Sequence, residues 1–183
     1  SSGNTADWFE LSNLGTTPVD LAGYKVDDSS DSFATSAALV FGGFGGTTIL
    51  QPGESAIFIE GVDTEVFRSS LGLPAGLKLG SYNGSGLGLS SGGDGLTVFN
   101  GAGTSMCKVA FGTATSGSSF YWLYDSTGAI KAGADGVVSA VADASGAATA
   151  ANGNITSAGS HKSATVYANY AGTVITRDFS GVD

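Results

Sequence analysis

A single cysteine in 183 residues leaves nothing for an intramolecular disulfide to join, so packing has to hold the fold. Cys107, in an apolar run, reads as a small buried hydrophobe. The single histidine is as limiting: a Ser-His-Asp arrangement would have to be built on Ser160-His161-Lys162-Ser163, where the neighbouring serines project elsewhere and no buried acid is indicated. His161 therefore reads as an exposed loop residue, and with a distant Cys107 it makes no zinc site. Positive charge is scarce too. Seven scattered Lys and Arg stand against 16 Asp and Glu, a net charge of -9, so the chain cannot neutralise a row of phosphates. That removes nucleic acid and anionic membrane as partners. No apolar stretch approaches the roughly 20 residues needed to cross a bilayer, and Ser1 opens no basic, apolar leader. The sequence reads as soluble and as the mature product of a longer precursor.

What is abundant is glycine, with 30 residues, beside many Ser, Thr and Ala and only 13% charged positions. These cut a 42% hydrophobic content into short runs, the pattern of one domain made of many strands. Few lysines and many small hydroxyl residues point, by composition, to the cell exterior. Trp8-Phe9-Glu10-Leu11 alternates as a strand, and turn residues from Ser12 to Pro18 lead into Val19 to Val26, predicting a hairpin in which Gly23 marks a bulge that moves Tyr24 to the core side. Ala38 to Phe41 and Thr47 to Leu50 flank Gly42-Gly43-Phe44-Gly45-Gly46. That run has no following Lys-Ser/Thr, so it reads as a flexible loop carrying Phe44 and not as a phosphate cradle. Gln51-Pro52-Gly53-Glu54 fits a type II turn, and Ser55 to Glu60, apolar on both faces, a central strand.

Asp63 caps one short helix over 64–71, with Phe67 and Leu71 on a single face and Gly72 and Pro74 to stop it. Leu77 to Leu79, Leu96 to Phe99, Met106 to Phe111 and Phe120 to Tyr124 are further strands. Between Ser126 and Ser160 large side chains thin out, predicting an Ala/Gly/Ser-rich excursion over residues 126–183 with a weak strand at Val137, Val138 and Val141. Strand character returns from Ala164 to Tyr170 and from Thr173 to Phe179.

Asp7-Trp8-Phe9-Glu10-Leu11-Ser12-Asn13 followed by Val19-Asp20-Leu21-Ala22-Gly23-Tyr24, then Leu50-Gln51-Pro52-Gly53-Glu54, then Gly86-Leu87-Gly88-Leu89-Ser90-Ser91-Gly92-Gly93-Asp94, resemble in order and spacing the motifs of the lamin-tail domain. The resemblance covers about residues 7 to 124 and departs at Ser90-Ser91-Gly92, where the family usually has Asn. It implies an all-β, immunoglobulin-like sandwich, here over residues 1–125, of a kind found in nuclear lamins and in bacterial secreted proteins as an attachment or interaction module without catalysis. Such domains also begin with an "I-x-I-x-E" strand that Ser1 to Ala6 does not supply, which predicts a groove beside the Trp8 strand that another strand fills. Two donors compete: the C-terminal segment of the same molecule, or that of a neighbouring identical subunit, a head-to-tail contact that propagates as a filament.

The expected interface residues are accordingly Val174, Ile175, Thr176 and Phe179 of the donor with Trp8 of the groove, and Tyr121 if the face opposite Phe120, Trp122 and Tyr124 is exposed. Asp27, Asp28 and Asp31 offer oxygens for calcium, but without the glycine and terminal Glu of an EF-hand loop they read better as a solvated acidic turn. Glu10 reads as a structural carboxylate. Asn83-Gly84-Ser85 and Asn154-Ile155-Thr156 satisfy the N-glycosylation rule. No cofactor and no catalytic residue is expected. The leading reading is a non-catalytic extracellular structural or interaction module; its rivals are an adhesion module for carbohydrate or calcium and an accessory domain of a secreted hydrolase.

Overall fold

The computed structural model describes residues 6–61, 63–83, 87–122, 124, 137–138, 148–151, 153–156, 158 and 173–179, with backbone alone for 137, 138, 148 and 173–179. In chain order these form β1 (Trp8–Asn13), β2 (Val19–Asp20), β3 (Lys25–Asp27), β4 (Ala37–Gly43), β5 (Ile49–Leu50), β6 (Ser55–Glu60), α1 (Thr64–Leu71), β7 (Lys78–Tyr82), β8 (Asp94–Phe99), β9 (Ser105–Phe111), β10 (Phe120–Tyr121), β11 (Val137–Val138), β12 (Ala148–Thr149), β13 (Ile155–Thr156) and β14 (Thr173–Phe179). Ten of the strands are hydrogen-bonded in one order, β11-β10-β14-β1-β6-β7-β4-β3-β8-β9. The sheet folds over at β4. Its first residues, Ala37 and Ala38, pair with β3, while Leu39 to Gly43 pair with β7 through a register irregularity. The two layers so made enclose a core of Phe9, Leu11, Phe58 and Tyr82 facing Val26, Leu96, Val98 and Val109, and β9 approaches β14 to close the curl.

β6 is apolar on both faces because each has a cover. Ala56 and Phe58 enter the sandwich core, while Ile57 and Ile59 join Trp8 and Leu79 beneath Phe67 and Leu71 of α1. The helix forms where its ends are satisfied: the Asp63 carboxylate accepts from the amides of Glu65 and Val66, and Gly72 closes it at φ 69°. α1 then carries the chain from β6 to a parallel β7. The type II turn also forms as its residues predict, with the Glu54 amide donating to Gln51 O and Gly53 at φ 75°.

Three local expectations are corrected. No hairpin joins β1 to the next strand, because Asn13 Nδ2 donates to Thr17 O and Leu50 O at 2.8 and 3.0 Å and turns the chain toward β5, with which β2 pairs. Gly23, at φ 75°, belongs to a turn closed by the Tyr24 amide on Leu21 O and not to a bulge, though Tyr24 is buried. Phe44 is no loop passenger: it is buried against Phe58 at a centroid distance of 5.6 Å, a plug that two flanking glycine pairs let the backbone lower into the core. Val141 and the segment Ala164 to Tyr170 lie outside the described residues.

Candidate functional site

The place beside β1 is occupied by the far end of the same chain. β14 runs antiparallel to β1, with Trp8 opposite Phe179, Leu11 opposite Ile175 and Ser12 opposite Val174. On its other edge it pairs antiparallel with β10, Phe120 opposite Asp178 and Tyr121 opposite Arg177. A register shift falls between Glu10 and Leu11: Glu10 stands opposite Arg177 and Leu11 opposite Ile175, so Thr176 is the extra residue of a bulge.

All the residues expected at an interface therefore meet at one junction, Val174, Ile175, Thr176 and Phe179 on β14, Trp8 on one flank and Tyr121 on the other. Trp8 and Tyr121 are both buried: Trp8 lies edge-on to Phe67 at 5.9 Å, and Tyr121, named on the condition of an exposed face, is 9% exposed. With Phe120, Trp122 and Tyr124 in the sandwich core, the described residues of this aromatic run are buried on both faces.

The inward alternation of β1 leaves polar side chains in the layer under α1. Ser12 and Ser55 share a hydrogen bond of 2.6 Å, and Glu10 is wholly buried, a structural carboxylate on the face that carries Trp8. The acidic loop is likewise committed to structure. Asp27 is buried and accepts from Ser30 Oγ and the Ser32 amide, each at 2.6 Å, and Asp28 accepts from the Ser30 amide. Asp31, at φ 54°, takes the Lys108 ammonium at 2.6 Å, and that lysine chiefly holds its carboxyl below the usual range. The carboxylates of this acidic turn point to separate donors, and among the described residues no group of three acids, His or Cys is placed to hold a metal. Cys107 is half-buried, less enclosed than its run of neighbours suggests. Asn83 is exposed, whereas the carbonyl of Asn154 closes a tight turn on the Ala150 amide; His161 lies outside the described residues.

The polar motif residues turn out to be loop ties. Asp7 Oδ2 accepts from the Leu89 amide at 3.0 Å, joining the start of β1 to the Gly-Leu-Gly-Leu turn whose Leu87 and Leu89 are buried. Asn13 Oδ1 also accepts from Gly15, and Glu54 joins the Gln51 amide to Lys78 at 2.7 Å each. Asp94 gathers the amides of Ser29, Ser90 and Gly95. Burial pushes its carboxyl up, but the bonds from Ser90, Gly95 and Ser29 outweigh that and leave it below the usual range. The profile described as Lamin Tail Domain matches residues 1–113. The chain belongs to the lamin tail domain family. No significant match was found among curated proteins or solved structures.

As a lamin tail domain the chain is an immunoglobulin-like sandwich of a non-enzymatic family, a structural or protein-interaction module. β14 and β10 fall beyond the matched segment, so what completes this lamin tail domain beside β1 comes from outside the stretch that carries the family pattern. Neither the plugging role of Phe44 nor the position of Arg177 was singled out from sequence. An aromatic isolated between glycine pairs signals the first; the second has no local signal, since its register partners, Glu10 and Tyr121, lie far away in the chain.

Proposed function

We propose that this lamin tail domain is a non-catalytic extracellular structural module that links identical chains head to tail by exchanging its C-terminal strand, residues 173–179 of one copy taking in the next the place they hold here in their own. The observation that carries this reading is the double pairing of β14, hydrogen-bonded to β1 on one edge and β10 on the other, by a segment reached through the small-residue stretch after Tyr124. A strand of that kind makes the same backbone bonds in cis or in trans, so exchange costs few contacts, and an open heterologous contact propagates. The exterior location rests on the low charge and the abundance of Ser, Thr and Gly.

The test uses register. In a Cys107→Ser background, Ser12→Cys and Val174→Cys are made in separate full-length chains, mixed during refolding and oxidised. Exchange gives covalent heterodimers whose yield rises with concentration. Mixtures that stay monomeric, while the doubly substituted chain closes on itself, would overturn the proposal.

A further inference from the structure

Three asparagines in the chain precede a glycine, at Asn83-Gly84, Asn100-Gly101 and Asn152-Gly153. With no side chain on the following residue, its main-chain nitrogen can reach the asparagine Cγ, so such a pair closes to a succinimide more readily than an asparagine before a bulkier residue, provided the backbone can turn. Asn152 lies outside the described residues. The other two stand in opposite surroundings. Asn100 is half-buried in the turn that joins β8 to β9. Its amide donates to Thr104 O at 2.9 Å and its carbonyl accepts from the Gly103 amide at 3.0 Å. Its Oδ1 accepts from the amides of Ala102 and Thr104, at 3.0 and 2.9 Å. Gly101 lies backbone to backbone on Gly23, so close that an added Cβ would stand 3.5 Å from Gly23 O. Bringing the Gly101 nitrogen onto the Asn100 Cγ means rotating the peptide between them, which breaks this turn. Asn83 is exposed instead, and it follows Tyr82, the last residue of β7 to pair with β4 and β6.

We propose that Asn83 is a site of spontaneous deamidation, an age mark on the surface of this module, and that the fold shields Asn100 from the same reaction. The Gly84 nitrogen bonds to the Asn83 Cγ, the Cγ–Nδ2 bond breaks, and the side-chain nitrogen leaves as ammonia with the proton given up by Gly84. Water then opens the succinimide. Addition at Cγ restores the original main chain as aspartate; addition at the main-chain carbonyl leaves isoaspartate, with one methylene more in the chain. Either product adds a negative charge to a chain of net charge -9 and removes the amide of the Asn83-Gly84-Ser85 glycan acceptor. Nothing in this reaction involves β14, so it stands or falls apart from strand exchange.

The test incubates the full-length protein in mildly alkaline buffer, folded and in guanidinium chloride, with samples digested by trypsin and sequenced by fragmentation mass spectrometry. One tryptic peptide, residues 79–108, carries both sites, so each digest compares them within the same molecules. In the unfolded chain the two sites convert at similar rates. In the folded chain Asn83 outruns Asn100 by on the order of 10-fold or more, the factor set by opening a turn held by several hydrogen bonds. The folded protein also gains acidic species on isoelectric focusing, and Asn83→Gln lowers their yield. A folded ratio no larger than the unfolded one, or an Asn83 that converts only in guanidinium chloride, overturns the proposal.

Discussion

Gly80 shows how little slack single positions have. A Cβ built there would lie 2.6 Å from the Phe58 ring and 2.6 Å from Val40 O, because β7 passes under the ring that also meets Phe9, Phe41 and Phe44. Gly80→Ala is therefore expected to cost about 1–3 kcal/mol, by overpacking that the aromatic cluster cannot relax, measurable as a lowered urea midpoint with an unchanged slope. Asn13 and Asp94 illustrate the other kind of constraint. Each was visible in the sequence as part of a motif, and its meaning as a turn signal was legible; that Asn13 reaches Leu50, and Asp94 reaches Ser29, was not, since a side chain's distant acceptor or donor leaves no local trace.

At the scale of elements, the parts that came out as the sequence predicts are those whose instructions are local. The helix has its cap at Asp63, its inward pair Phe67 and Leu71 one turn apart, and its stop at Gly72. Asp63→Ala leaves the Glu65 and Val66 amides without their acceptor and should cost about 1 kcal/mol, seen as a lower melting temperature and faster amide exchange in the first turn of α1. The Pro52-Gly53 turn and β6 follow the same logic. Pairings do not. β1 reads as half of a hairpin because a turn and a second strand follow it, yet its neighbours are β6 and β14, chosen by which apolar faces and which backbone edges can be covered together in space.

For the molecule as a whole, the acidic composition sets a pH limit. Asp94 and Asp31 both have carboxyls held below their ordinary value of 3.8 in the fold, the first by amide donors overcoming burial, the second chiefly by Lys108. A lowered folded value means that their contribution is fully present above pH 3.8 and is lost as the pH falls from there through the folded value. Stability should thus decline below about pH 4, and Asp94→Asn should flatten that decline while lowering stability at neutral pH, in unfolding curves followed from pH 7 to 2.5. Sequence alone determined the class of fold: glycine spacing and alternation specified strands, and the ordered motifs specified the sandwich, because each of these acts within a few residues. Only the tertiary structure decided that the fold turns over at β4, that Phe44 goes inward, and that β14 lies between β1 and β10 with Arg177 opposite Glu10. Those outcomes depend on burying both faces of a sheet and pairing both edges of its strands, which residues of different elements settle jointly and no short stretch of chain encodes.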